Sequence, residues 1–159
     1  MAFLAQKLIS ASGATDETDA DFNITTSLMH FDGSANGNND TFLDSSDSGH
    51  TLTRNGNTTQ GTFTPFSADE GKWSVSFDGT DDYLGVASSS DFALGSGDFT
   101  LEAFVFQNNE AGSGSSSHNI INKWNNTGNL KSYFLRITES SGQKLQFYWS
   151  TDGNSNNYI

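Results

Sequence analysis

Asx-Gly pairs, among them Asp32-Gly33, Asn55-Gly56, Asp78-Gly79 and Asp152-Gly153, punctuate the chain. Each marks a place where the backbone can enter the positive-φ region at little steric cost. The segments between them alternate apolar and polar side chains, the period of a half-buried strand. Such segments are 26–31, 50–54, 61–64, 73–77, 83–87, 99–107, 119–123, 133–138 and 144–150. After residue 20, no helix start signal is followed by a sustained 3.6-residue apolar period. A chain punctuated in this way is restricted to short strands joined by tight turns.

Composition supports the same class. Only 33% of the residues are hydrophobic, yet 13% are aromatic, with thirteen Phe spread along the chain. So many rings need a folded core. The length of 159 residues suits one domain with one core. With 19 acidic residues against 7 Lys and Arg, the net charge is −12. A chain this acidic lacks the phosphate neutralisation that nucleic-acid binding requires, and an anionic membrane surface repels it. Apolar runs are strand-sized, so membrane insertion is not expected either. Cysteine is absent, which excludes disulfides and thiolate zinc sites.

The segment 99–107 is apolar on both faces toward its end, as in a central strand of a two-sheet sandwich. In 144–150, Leu145, Phe147 and Trp149 share one face while Gln146 and Tyr148 share the other. Trp149 therefore reads as core. The segment 108–118 is Gly/Ser-rich and reads as a solvated connection or a loop at a sandwich rim. At the N-terminus, Gln6 and Lys7 interrupt the apolar start and no basic region precedes it, which disfavours a cleaved signal. Residues 1–22 read instead as an extended arm and acidic linker, with Phe3, Leu4, Leu8 and Ile9 as docking anchors. The domain occupies 23–159 and is expected to be unfinished there, because Tyr158-Ile159 looks like the start of another strand.

Several motifs carry residue types that chemistry can use. Phe-Asp-Gly occurs at 31–33 and at 77–79, and both copies read as a core Phe followed by a turn. Asp78, Asp81 and Asp82 form a carboxylate cluster that can hold calcium, although the EF-hand spacing is missing and an acidic surface turn is the plainer reading. Glu102 has Thr100 and Phe104 as same-face neighbours, so its strand lacks the second carboxylate that glycosidases place about 5–9.5 Å away. His30, His50 and His118 lack the short spacing of a zinc pair. No nucleophile elbow, phosphate loop or dinucleotide fingerprint occurs. An enzyme is not expected. Trp73, Trp124, Trp149, Tyr133, Tyr148 and Tyr158 are candidate stacking platforms for sugar rings. Trp124, beside the polar turn 125–128, and Tyr148, opposite the core face, are the preferred glycan contacts.

The ordered set SLMHFDGS, TFLDSSDSGHTLTRNGNTTQGTFTPFS, WSVSFDGTDDYLGV and SSDFALGSGDFTLEAFVF resembles the laminin-G-like, concanavalin A-like jelly-roll domains of phage virion structural proteins, especially the marine cyanophage type. The resemblance covers roughly residues 1–150, and its specificity lies in the order and spacing of individually weak motifs. It implies an all-β, antiparallel two-sheet jelly roll with no enzymatic role, carried on the surface of a phage particle. Two departures stand out. Ala103-Phe104 replaces the large aromatic pair common in the family's central strand, and the acidic catalytic strand of glucanases with this fold is missing.

The expected role is a tail-fibre or tail-appendage subunit. It would dock through its arm to other virion proteins and bind host-surface glycan as a homo-oligomer. A capsid decoration protein is the alternative, and a secreted carbohydrate-binding module or glucanase is the third reading. No cofactor is expected apart from the calcium candidate.

Overall fold

A computed structural model of the chain describes residues 22–33, 39–62, 73–107, 117–128, 130–138 and 143–159, together with the backbone of 2–4. It is all-β apart from two single-turn 3₁₀ segments, Phe22–Ile24 and Ser90–Phe92. Among the described residues no helix is long and apolar enough to cross a membrane. The chain divides into two compact units, Met1–Asn108 and Asn109–Ile159. The division falls within the Gly/Ser-rich segment 108–118.

The first unit holds β1 (Ala2–Leu4), β2 (Leu52–Asn55), β3 (Thr59–Gly61), β4 (Ser74–Ser76), β5 (Tyr83–Val86) and β6 (Phe104–Phe106). They form a sheet in the order β3-β4-β1-β6 and a pair β2-β5, every neighbour antiparallel. The expected N-terminal arm is thus extended over residues 2–4, but it is hydrogen-bonded on both edges, with Phe3 opposite Val75 on one side and Val105 on the other. Phe3 and Leu4 contribute backbone to a sheet, while Leu8 and Ile9 lie outside the described residues, as do 63 and 64 of the expected strand 61–64. Val75 is fully buried, worth about 2 kcal/mol by apolar transfer.

The four Asx-Gly pairs named above have their glycine at positive φ: Gly33 at 60°, Gly56 at 66°, Gly79 at 86° and Gly153 at 76°. The run Asn55 to Gly61 explains itself in hydrogen bonds. Arg54 Nε donates to Thr58 O at 2.6 Å, Thr58 Oγ1 donates to Asn55 O at 2.7 Å, and Gln60 Nε2 donates to Thr41 O at 2.6 Å. Thr58 and Gln60 can be buried because their polar atoms are satisfied in this way.

Residues 26–31, expected as a strand, are irregular. Their backbone groups pair with a loop instead of a ladder. Leu28 N donates to Asp44 Oδ1 at 2.9 Å, Leu28 O accepts from Ser45 N at 2.7 Å, and Thr26 O accepts from Ser46 Oγ at 3.0 Å. The segment ends on Phe31, whose φ of 53° is unusual for a side chain of this size. Its ring meets buried Phe42 edge-on, with centroids 6.3 Å apart. Thus the first Phe-Asp-Gly does not close a strand; the second follows β4 directly.

Asp44 is the hub of this region. Its side chain has no exposed surface. Oδ1 accepts from the N–H groups of Leu28 and Ser46, and Oδ2 accepts from His50 N at 3.2 Å and pairs with His50 Nδ1 at 2.8 Å. The other imidazole nitrogen faces Asp91 Oδ2 at 3.1 Å. Burial pushes the Asp44 carboxyl up, but the hydrogen bonds from Leu28, Ser46 and His50 outweigh it and lower the pKa from 3.8 to about 2. The hydrogen bond to Asp44 chiefly raises the His50 pKa above 6.5, with Asp91 adding to it.

The second unit is one meander: β7 (Ser117–Asn125), β8 (Leu130–Thr138), β9 (Lys144–Trp149) and β10 (Asn157–Tyr158), in the order β10-β9-β8-β7. Tyr158 begins a strand as expected, and Ile159 continues its pairing through two 3.1 Å bonds with Phe147. One face carries Tyr133, Leu135 and Ile137 of β8 opposite Trp149, Phe147 and Leu145 of β9. Tyr133 is buried, and desolvation raises its pKa. Trp149 stacks on Phe147 at 5.8 Å on this apolar face, as its register predicts.

Two predictions follow from these contacts. A Cβ added at Gly33 would lie 2.6 Å from the Trp73 ring, in a backbone conformation that Ala resists. Gly33→Ala should therefore cost about 2 kcal/mol in urea unfolding. The Asp44–His50 pair sets a pH profile. A raised His50 pKa gives stability that is complete below about 6.5 and is lost as pH rises through the folded value. A lowered Asp44 pKa gives stability that is complete above 3.8 and is lost as pH falls toward 2. The urea midpoint should decline as pH is raised from about 6 to about 8, and His50→Gln should flatten that limb while leaving the acid limb in place.

Candidate functional site

The groove face of the second unit opposes its apolar face. It gathers Phe134 of β8 opposite Tyr148 of β9, and Tyr148 opposite Tyr158 of β10. Phe134 and Tyr148 stack at 4.5 Å with 15° between planes, and Tyr148 and Tyr158 stack at 5.1 Å with 24°. Trp124 of β7 closes the row, its ring 4.9 Å from Phe134 and nearly perpendicular to it. The rings therefore run across all four strands. Tyr158, at the far end, is 65% exposed.

Strict alternation along β7 would place Asn119 on the same side as Ile121, away from Asn122. The pairing skips a residue there, from Asn119 opposite Arg136 to Ile121 opposite Leu135. This bulge at Ile120 returns Asn119 to the groove side. A second irregularity, at Ser132, sets Lys131 opposite Trp124 and puts its ammonium 5.6 Å from the indole centre. Lys131 Nζ also donates to Asn154 O at 2.7 Å and to Asn156 Oδ1 at 2.9 Å, drawing the 152–156 turn to the rim.

Asp152 shapes that turn. Its carboxylate accepts from Asn154 N, Ser155 N, Ser155 Oγ and Ser150 Oγ, and these bonds, led by Ser155 N, push its pKa far down. At the same end of the sheet, Trp124 Nε1 donates to Asn126 Oδ1 at 3.1 Å, and Thr127 N donates to Asn125 Oδ1 at 2.9 Å. The resulting open depression encloses about 440 Å³ between aromatic rings and the amides of Asn119, Asn122, Asn126 and Asn156. Arg136 stands within it, its guanidinium carbon 5.0 Å from the centres of both Phe134 and Tyr148.

The structure thus brings Trp124 and Tyr148 together, with ring centres 6.4 Å apart. Reasoning from sequence missed Arg136 and the asparagines. A strand pattern shows period, but the bulges that set register leave no mark in it. The signal that could have found them is Arg136 itself, a cation alternating with Phe134 on a mostly apolar strand. Trp73 is placed elsewhere, against Gly33 in the first unit.

The acidic candidates lie in the first unit. One carboxylate oxygen from each of Asp78, Asp81 and Asp82 falls within 4.8 Å of the others. Asp82 joins two turns, accepting from Asn57 N at 2.7 Å and from Asp78 N at 2.8 Å. Asp78 Oδ1 accepts from Thr80 N at 2.8 Å, and the Asn57 amide, with its nitrogen toward the carboxylates, donates to Asp82 Oδ1 at 2.8 Å and Asp78 Oδ2 at 3.1 Å. Gly56 fits over the cluster because a Cβ there would strike Asp82. These bonds give Asp78 and Asp82 a structural role. Glu102 is exposed ahead of β6, and His50 pairs with Asp44 and Asp91.

Compared with known proteins, the chain matches no family model, no curated protein and no solved structure.

The stacked pair at the groove's centre should be measurable on its own. In a double-mutant cycle of Phe134→Leu and Tyr148→Leu, the coupling energy from thermal unfolding should be about 1 kcal/mol. Strict additivity would mean that the stack contributes no more than its area.

Proposed function

We propose that the chain is a non-enzymatic glycan-binding subunit of a phage virion, a jelly-roll domain of a tail fibre or tail appendage that attaches to host-surface saccharide. The observation that carries the binding step is the groove of the second unit, where Trp124, Phe134, Tyr148 and Tyr158 line up beside four asparagine side chains. Aromatic rings offer apolar contact to the C–H face of a pyranose, and amides can both donate to and accept from its hydroxyls. The groove is open and polar, as suits an extended chain of sugar units.

The all-antiparallel meander is compatible with a jelly roll, and the ordered motifs from SLMHFDGS to SSDFALGSGDFTLEAFVF support placement on a virion. Docking to the particle is assigned to the N-terminal region. Because β1 pairs with both β4 and β6, deleting residues 1–20 would disturb folding as well as docking. Point changes at Leu8 and Ile9 are the cleaner probe of incorporation.

A glycan array followed by calorimetry on the best hits tests the binding step. Trp124→Ala and Tyr158→Ala should each weaken saccharide binding by about tenfold, with unfolding midpoints that still report a folded chain. Absence of binding across the array, or affinity indifferent to both substitutions, would remove the groove from the reading.

A further inference from the structure

The groove contains a cation with no counter-ion among the described residues of its unit. Asp44 and Asp91 pair with His50, in the first unit. Among the described residues Arg136 makes one hydrogen bond, from Nε to Gln146 Oε1 at 3.0 Å. A guanidinium carries five N–H donors, so the four on its Nη atoms remain for a ligand. In a chain with 19 acidic residues and 7 Lys and Arg, a guanidinium without a carboxylate is unexpected. The residues lining the groove include no Asp or Glu, and the second cation, Lys131, stands at its rim.

The position of the guanidinium adds a second observation. Lying 5.0 Å from the centres of Phe134 and Tyr148, and held through Nε, it has a fixed plane. Little side-chain freedom is left to lose when its Nη edge engages a ligand, and a planar fork matches an oxyanion in two-point contact. A site for neutral sugar alone needs no such group. Amides would serve hydroxyls at lower desolvation cost.

We infer that the groove takes an acidic saccharide, with a carboxylate or sulfate of the sugar chain on the Nη edge of Arg136 and neighbouring hydroxyls on the asparagines. This assignment rests on the groove being a saccharide site. It adds the charge of the ligand, which the aromatic row does not specify.

Calorimetry on the full chain separates the two ideas. The probes are galacturonan oligomers and their methyl esters, for carboxylate, and sulfated galactan oligomers and their desulfated counterparts, for sulfate. At least one acidic probe should bind about tenfold more tightly than its neutral counterpart, and the preference should shrink as salt is added. Whichever pair shows the preference identifies the source of the anion. Arg136→Gln, checked for folding by its thermal midpoint, should reduce the preference below about twofold, whereas Arg136→Lys should retain part of it.

Equal binding of acidic and neutral forms by the unaltered chain, which needs no variant, would overturn the inference and leave the saccharide site standing. A preference that persists in folded Arg136→Gln would overturn it as well. Failure of all four probes to bind would remove both.

Discussion

The buried carboxylate of Asp44 carries the irregular half of the first unit. Taking a charge out of water is costly unless the protein replaces every lost hydrogen bond, and here the replacements come from Leu28, Ser46 and His50. Those donors lie on the 26–28 segment and the 44–50 loop, which no ladder joins. The side chain does the work a strand pair would do elsewhere. His50 extends the connection to Asp91 in the 3₁₀ turn Ser90–Phe92, and its ring also packs 4.6 Å from Phe92. A pH-sensitive pair therefore sits under a loop framework instead of at the groove.

Much of the architecture is legible in the sequence because it is local. An Asx-Gly pair states its own backbone conformation, and Gly33, Gly56, Gly79 and Gly153 adopt it. Alternation in 144–150 states which face Trp149 shares with Phe147. What is not legible depends on partners distant in the chain. Residues 26–31 alternate like a strand, yet the donors and acceptors that satisfy their backbone belong to Asp44, Ser45 and Ser46, whose roles no pattern announces. The pairing of residues 2–4 between β4 and β6 joins segments some seventy to one hundred residues apart, so the N-terminus read in isolation looks like a detachable arm.

The groove divides along the same line. Trp124 beside a polar turn and Tyr148 opposite a core face are recognisable from their immediate neighbours. Arg136 between two rings is not, since its setting arises from the register of β8 against β9. The Asp78, Asp81 and Asp82 cluster shows the converse. Its composition suggests a cation, and the hydrogen bonds from Asn57, Asp78 and Thr80 add a role no composition shows, with Asp82 and Asp78 bracing two turns.

The bulge at Ile120 makes the groove tolerant of chain length at this point of β7. Removing that one extra residue would restore strict alternation and still leave Asn119 opposite Arg136 on the groove side, with His118 opposite Ile137. A single-residue insertion or deletion here is thus absorbed as a change in the bend and twist of the strand end, while the polar contacts and the row of rings, anchored on β8 and β9, stay where they are.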